Sequence, residues 1–167
     1  MIFTSSQATK DPSSSLYATT KRIGEVEADR YNKQYGNIKV LRLSNVYGGK
    51  YYLKYKNSVI SKFVNAKMKN ESLVIHGDGT QTRDFIHVHE VCRCIEMCLN
   101  NIPLLEPVDV GTGIKRQIKE VAEKISDKIN YEEGNVGTTS SVADIEPIKS
   151  IVGFEPRDML DNYLSNI

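Results

Sequence analysis

The 167-residue sequence has no apolar run near the roughly 18 residues that cross a bilayer. Its opening, Met1-Ile2-Phe3-Thr4-Ser5-Ser6, lacks the basic region and long apolar stretch of a secretory signal. The expected setting is therefore cytoplasmic, with no membrane partner. Cysteine is scarce. Cys92, Cys94 and Cys98 are an odd number within seven residues, which argues against a disulfide framework and for reduced thiols. There is no internal repeat and no low-complexity tract. The composition of disorder is absent too, since 40% of residues are hydrophobic and 26% charged, so the chain should fold, with one domain as the expectation for its length. Net charge is only +1, but residues 1–105 carry +6 and residues 106–167 carry −5. Attraction for an anion thus belongs to the first part, which suits a phosphorylated small molecule or nucleic acid.

What is present is an alternation of strand and helix signals. Met1-Ile2-Phe3 reads as the end of a buried strand. Ser13-Ser14-Ser15 offers N-caps for a helix over Leu16 to Tyr35, which Gly36-Asn37 closes, and Ile38 to Leu43 follows as a strand. Helical spacing recurs over Val59 to Met68, His89 to Leu99 and Ile118 to Ile125. Strands are expected at Leu73-Val74-Ile75, Phe85-Ile86-His87 and Val108-Asp109-Val110. Residues 130–167 are polar and less periodic, apart from a helix expected over Asp158 to Leu164. The class is α/β.

Tyr17 and Lys21 are four positions apart on the long predicted helix and so share a face. A lysine ammonium beside a phenol favours the phenolate, and a tyrosine so tuned can take a proton from a hydroxyl near neutral pH. Ser6 lies just past the carboxyl end of a parallel strand, where open α/β sheets bind ligands. Its hydroxyl could orient the one being deprotonated.

These residues and others occur in an order that resembles the extended short-chain dehydrogenase/reductases. The set is Ser5-Ser6, Tyr17-Ala-Thr-Thr-Lys21, Arg42-Leu-Ser-Asn45-Val-Tyr47-Gly48, Gly77-Asp-Gly79-Thr-Gln-Thr-Arg83-Asp84-Phe-Ile-His-Val88 and Val110-Gly-Thr-Gly113. It is most similar to the nucleotide-sugar epimerases and dehydratases of the UDP-glucose 4-epimerase type. The resemblance implies NAD as cofactor and a nucleotide-diphospho-sugar as ligand. Tyr17 would be the catalytic base, Lys21 would hold the nicotinamide ribose, and Ser6 would contact the sugar hydroxyl. Asn45 would contact the phosphate-bearing side of the substrate, and Arg83 the diphosphate or its ribose. Related dehydratases carry Asp-Glu directly after the serine or threonine. Gln7-Ala8 follows Ser6 here, which favours epimerase over dehydratase.

The implied fold is a truncated Rossmann-like parallel sheet with a small α+β substrate-binding lobe. It forms a single domain, 1–167, with a partial Rossmann core over about 1–47 and 89–129 and lobe elements over about 45–88 and 130–157. The family's Gly-rich strand-to-helix turn, which grips the cofactor pyrophosphate, is missing, and Gly111-Thr112-Gly113 is too short and too late to replace it. Where the family carries an arginine late in the chain, Asn135-Val-Gly137-Thr-Thr stands instead. Ser6 and Tyr17 are only eleven positions apart, closer than the family's usual spacing. A Met1–Thr4 strand without its former neighbour exposes an apolar edge. The expectation is a homo-oligomer, or a complementary N-terminal chain, sealed through that edge. The competing expectation is a catalytically inactive homologue kept as a nucleotide-sugar-binding or interaction domain.

Each residue also has a plainer reading. Tyr17 and Lys21 could be a surface pair, Ser6 a strand end, Asn45 a turn former, and Arg83 an ion-pair partner of Asp84. No metal site is assigned, because Cys92 and Cys94 on one helix point about 200° apart. Lys50-Tyr-Tyr-Leu-Lys-Tyr-Lys56 mixes cations and rings as single-strand binders do, but reads as a solvent or anion-facing loop, and nucleic acid is disfavoured.

Overall fold

The computed structural model describes residues 1–36, 38–49, 58–100, 104, 106–134 and 140–167. The Lys50 to Lys56 loop and the Asn135 to Thr139 segment lie outside the described residues. In chain order the elements are β1 (Ile2–Ser6), α1 (Leu16–Tyr35), β2 (Lys39–Leu43), β3 (Asn45–Tyr47), α2 (Val59–Met68), β4 (Leu73–His76), β5 (Thr82–Arg83), β6 (Phe85–His87), α3 (Val88–Asn100), β7 (Val108–Val110), β8 (Arg116–Gln117), α4 (Ile118–Glu123), β9 (Ile129–Glu132), β10 (Ser140–Ser141), α5 (Glu146–Val152) and α6 (Leu160–Ser165).

The main sheet is parallel, in the order β1-β2-β7, with Phe3 opposite Val40 and Leu41 opposite Val108. β1, α1 and β2 form the expected βαβ unit. α1 begins where Ser15 Oγ accepts from Ala18 N (3.1 Å), satisfying a donor that the first turn leaves open. It ends at Gly36, whose φ of +69° a side chain would resist. The short link from Ser6 to α1 is filled by two 3-10 turns, Gln7–Lys10 and Pro12–Ser14. Beyond the main sheet, β3 pairs with β6 and β4 with β9, both in parallel, while β5 is flanked by β10 and β8.

Two larger apolar clusters and a small one hold these layers. In one, Leu41, Val108 and Val110 of the sheet pack with Val91, Cys94 and Cys98 of α3, with Ile148 of α5 and with Phe154. In the other, Ile60, Phe63 and Val64 of α2 meet Leu73 and Ile75 of β4, Val121 and Ala122 of α4, and Leu160 and Leu164 of α6. Each side chain of this size, fully buried, contributes about 1.5–3 kcal/mol. The third, Ala28, Ile38 and Val40 with Phe3, lies under α1.

The polar stretch after residue 130 is more regular than its pattern suggested. β9 has no buried side chain and is held to β4 through the backbone, so it needs no period of two. α5 spans seven residues and buries only Ile148, too little to register as helical spacing. β1 also differs from the expected buried strand end: it runs on through Ser6 at the edge of the sheet and is largely half-buried. None of the described helices is long and apolar enough to cross a membrane.

Candidate functional site

The carboxyl ends of β1 and β2 are drawn together by polar side chains. Ser44 N donates to Val110 O (2.9 Å) and Asn45 N to Asp84 O (3.0 Å), so the chain leaving β2 is tied to β7 on one side and to the β5–β6 segment on the other. Asn45 Nδ2 donates to the same Asp84 oxygen at 3.0 Å. Gln7 is buried beside this junction. With its amide turned to satisfy both ends, Gln7 donates to Ser141 Oγ and Val142 O and accepts from Ala143 N and Ser44 Oγ, at 3.1 to 3.2 Å.

Asp84 is the centre of the arrangement. Fully buried, its carboxylate accepts from Thr112 N (2.9 Å), Thr112 Oγ1 (2.7 Å), Gly113 N (2.9 Å) and Ala143 N (3.1 Å). A lone buried carboxylate would be costly, but four donors at short range offset its desolvation. The approach is close enough that Gly111 admits no side chain: a Cβ there would fall 2.3 Å from Ser44 Oγ and 2.4 Å from Asp84 Oδ2. Asp109 secures the next residue of the same segment, accepting from Asp144 N (3.0 Å) while pairing with Lys10 (2.5 Å).

Ser6, Asn45 and Arg83 come together in the wall of one small cavity of about 150 Å³, with Gln7, Ser44 and Ser141. Asn45 and Arg83 also line a larger cavity of about 500 Å³, bounded by Val59 and Phe63 of α2, by Val74 to His76 of β4, and by Gln81. Two residues thus belong to both spaces. The Ser6 hydroxyl accepts from Ala8 N (3.2 Å), capping the turn that follows. Arg83 Nη1 donates to Thr82 O (2.8 Å), and burial pushes its guanidinium below the usual arginine range, a setting in which an anion would be welcome. The Asp84 carboxylate turns to Thr112, Gly113 and Ala143, as neighbours along an extended chain do when they face opposite ways.

Tyr17 and Lys21 share a face of α1, with Lys21 Nζ 6.0 Å from the Tyr17 ring centre. The ammonium donates to Thr4 O (2.9 Å), two residues before Ser6, and is 5.5 Å from the Phe3 ring. Tyr17 is 55% exposed, and neither it nor Lys21 lines the two cavities around Arg83. One turn further along α1, Glu25 is 3% exposed. It accepts from Arg42 through both oxygens (2.8 and 2.7 Å), from Ser5 (2.7 Å), from Thr9 (2.9 Å) and from Arg22 (2.9 Å). Burial alone would raise its carboxyl, but Arg42, Ser5, Thr9 and Arg22 outweigh it and hold the group down at about 2. Ser5 is thereby occupied, and of the two adjacent serines it is Ser6 that lines the cavity.

Sequence reasoning passed over Glu25, the bonding of the Gln7 amide to Ser44 and the 141–143 segment, and the hub role of Asp84. The signal for Glu25 was its place four residues after Lys21 on the face turned to the sheet. For Asp84 it was a carboxylate at the mouth of the apolar run Phe85-Ile86. Cys94 and Cys98 are buried and Cys92 is exposed, so one helix sends its thiols to opposite sides. Among the described residues no three His, Cys, Asp or Glu side chains gather as a metal site would require.

The family model described as "NAD dependent epimerase/dehydratase family" matches residues 3–111. A Methanocaldococcus jannaschii protein named "Putative UDP-glucose 4-epimerase" is 39% identical over 118 residues, 70% of this chain and 38% of that protein. GDP-L-fucose synthase of Escherichia coli K12 is 30% identical over 159 residues, 86% of this chain and 49% of the enzyme. Among solved structures, UDP-N-acetylglucosamine 4-epimerase from Methanobrevibacter ruminantium, in complex with UDP-N-acetylmuramic acid, superposes with a TM-score of 0.84 at 29% identity, covering 98% of this chain and 59% of that one. The chain therefore spans about two fifths to three fifths of the length of these three proteins.

Proposed function

The chain belongs to the NAD dependent epimerase/dehydratase family, and on that premise we propose that it is the catalytic and sugar-binding part of a nucleotide-sugar 4-epimerase. The observation that carries this reading is the pair of adjoining cavities with Asn45 and Arg83 in the walls of both. A nucleotide sugar has the matching three parts. Its sugar suits the small polar space beside Ser6, its diphosphate suits the shared wall at Arg83, and its nucleoside suits the larger space against α2. Ser6 would orient the sugar hydroxyl, and Tyr17 Oη would hold the proton taken from it and give it back. Gln7, an amide engaged with Ser44 and the 141–143 segment, offers no acid or base for eliminating water, which supports epimerisation over dehydration.

NAD, when bound, supplies the hydride acceptor and donor. Among the described residues, Tyr17 and Lys21 suit its nicotinamide-ribose end. The peptide N–H groups of Thr112 and Gly113, which could otherwise cradle a phosphate, are bonded to Asp84. The pyrophosphate cradle would thus come from polypeptide outside these 167 residues, in the same chain or a partner, docked along β1. Two features support that placement. Among the described residues β1 has a neighbour on one side only, and a cavity of about 440 Å³ beside it is lined by Met1, Phe3, Ala28, Tyr31, Tyr35 and Ile38.

Calorimetry with UDP-glucose and other nucleotide sugars tests the binding half of the proposal, and 4-epimerase assays with NAD and an added Gly-rich strand–turn–helix polypeptide test the rest. Arg83→Ala should weaken binding roughly tenfold to a hundredfold, the range for a hydrogen bond to a charged group. Tyr17→Phe should leave binding unchanged and lower turnover by about 10²–10⁴. An unchanged rate would remove Tyr17 from the mechanism. Epimerisation by the chain and NAD alone would show that no outside cradle is needed, and failure to bind any nucleotide sugar would leave the interaction-domain reading.

A further inference from the structure

The Lys21 ammonium is already engaged. It donates to Thr4 O at 2.9 Å, its one acceptor among the described residues, and stands 5.5 Å from the Phe3 ring. The peptide groups of a parallel strand point alternately to its two sides. Lys39 N donates to Met1 O (2.9 Å) and Phe3 lies opposite Val40, so the odd-numbered residues of this stretch turn their N–H and C=O groups to β2. Thr4 therefore turns its own to the other side, where β1 has no neighbour among the described residues. The carbonyl that Lys21 holds is the one that a strand laid along that side would need for its N–H. Ser6 O is taken as well, by Thr9 Oγ1 (2.7 Å). Ile2 and Thr4 are what the open side offers.

A cation seated on an edge carbonyl keeps stray strands off, because pairing would have to strip it of its acceptor. We propose that the open side of β1 is the docking surface for a β-strand of the complementary polypeptide, held by main-chain hydrogen bonds to Ile2 and Thr4. Pairing lifts Lys21 from Thr4 O and frees its ammonium for the nicotinamide ribose. The inference deepens the reading above and rests on its outside cradle. Peptide N–H and C=O groups in extended order are matched by another extended backbone, and the apolar Phe3, Ala28 and Ile38 in the wall alongside suit the side chains of such a strand. The relatives have chain to supply it, since the matched part is 38% of the Methanocaldococcus jannaschii protein and 49% of the Escherichia coli enzyme. Lys21 is thereby kept from the ribose until the polypeptide that grips the rest of the cofactor is in place.

The test uses the full chain and a synthetic peptide of alternating valine and threonine with a lysine at each end. Binding is read by fluorescence anisotropy, and Lys21 by the NMR signal of its ε-methylene, assigned by its loss in Lys21→Arg. The peptide should bind and shift that signal, and the same peptide N-methylated throughout should not bind. Lys21→Met should bind the peptide about tenfold more tightly, the worth of one charge-assisted hydrogen bond that no longer has to be broken. Thr4→Pro removes an outward N–H and spares the bonds to β2, and should weaken binding by a similar factor. Equal or weaker binding by Lys21→Met, or a Lys21 signal that stays in place when the peptide binds, would overturn the displacement. Failure of the peptide to bind even Lys21→Met would overturn the docking surface. Nucleotide-sugar calorimetry is a separate measurement, so the inference falls in these cases while the reading of the ligand end stands. Peptide docking by a chain that binds no nucleotide sugar would keep the surface and overturn that reading, and with it the ribose half of the inference.

Discussion

At the carboxyl ends of β1, β2 and β7 the buried carboxylates Glu25, Asp84 and Asp109 each gather donors from several segments, whereas along the outer side of β1 and α1 large apolar groups face solvent. Glu25 joins the helix to both strands through Arg42, Ser5 and Thr9, and Asp84 ties the Thr112–Gly113 turn to the segment around Ala143. On the other side Leu16 is 80% exposed, Ile23 57% and Tyr35 65%, beside a strand with no second neighbour among the described residues. The buried carboxylates are matched by donors, whereas these apolar side chains of the flank face solvent. The contrast is that of an end held by buried, hydrogen-bonded carboxylates and a flank with exposed apolar surface.

The contrast can be broken most directly at Glu25. Glu25→Ala strands the largely buried Arg42 without its carboxylate, and should cost about 3–5 kcal/mol in urea denaturation, the range for half of a buried ion pair. A loss below about 1 kcal/mol would mean that this end is held by packing alone.

Acid provides the next largest effect. The folded Glu25 carboxyl is depressed to about 2, below the roughly 4.3 of an unfolded glutamate. Its contribution is therefore fully present above pH ~4.3 and is lost as pH falls towards 2. Thermal melts should reveal roughly 2–3 kcal/mol of acid destabilisation in that window, and Glu25→Gln should flatten it. The smallest effect belongs to the flank. Ile23→Lys and Tyr35→Glu should each change folding stability by no more than about 0.5 kcal/mol, yet reduce self-association or docking of a complementary chain in sedimentation velocity. If the unsubstituted protein sediments as a monodisperse monomer and takes up no complement, the flank is an ordinary surface.

Much of the fold was legible because the long elements carry strong local signals. The expected bounds of α1, α2 and β7 agree with those observed, since capping serines, a closing glycine or a short apolar run mark them. β5, β8 and β10 were not legible, for two residues cannot display a period. Of the candidate site, the nearness of Tyr17 to Lys21 follows from helical spacing. The meeting of Ser6, Asn45 and Arg83 does not, because they are 38 and 39 positions apart along the chain.

The sequence by itself determined the order of strands and helices, the shared face of Tyr17 and Lys21, and the set of motifs that places the chain in its family, all of which depend on spacing along a single element. Only the tertiary structure decided that Ser5 is taken by Glu25 while Ser6 remains at the cavity, that Asp84 turns away from Arg83, and that Asn45 and Arg83 serve two spaces. Those outcomes depend on which buried polar groups find partners across distant segments. Such matching becomes defined only when the segments are packed and water is excluded.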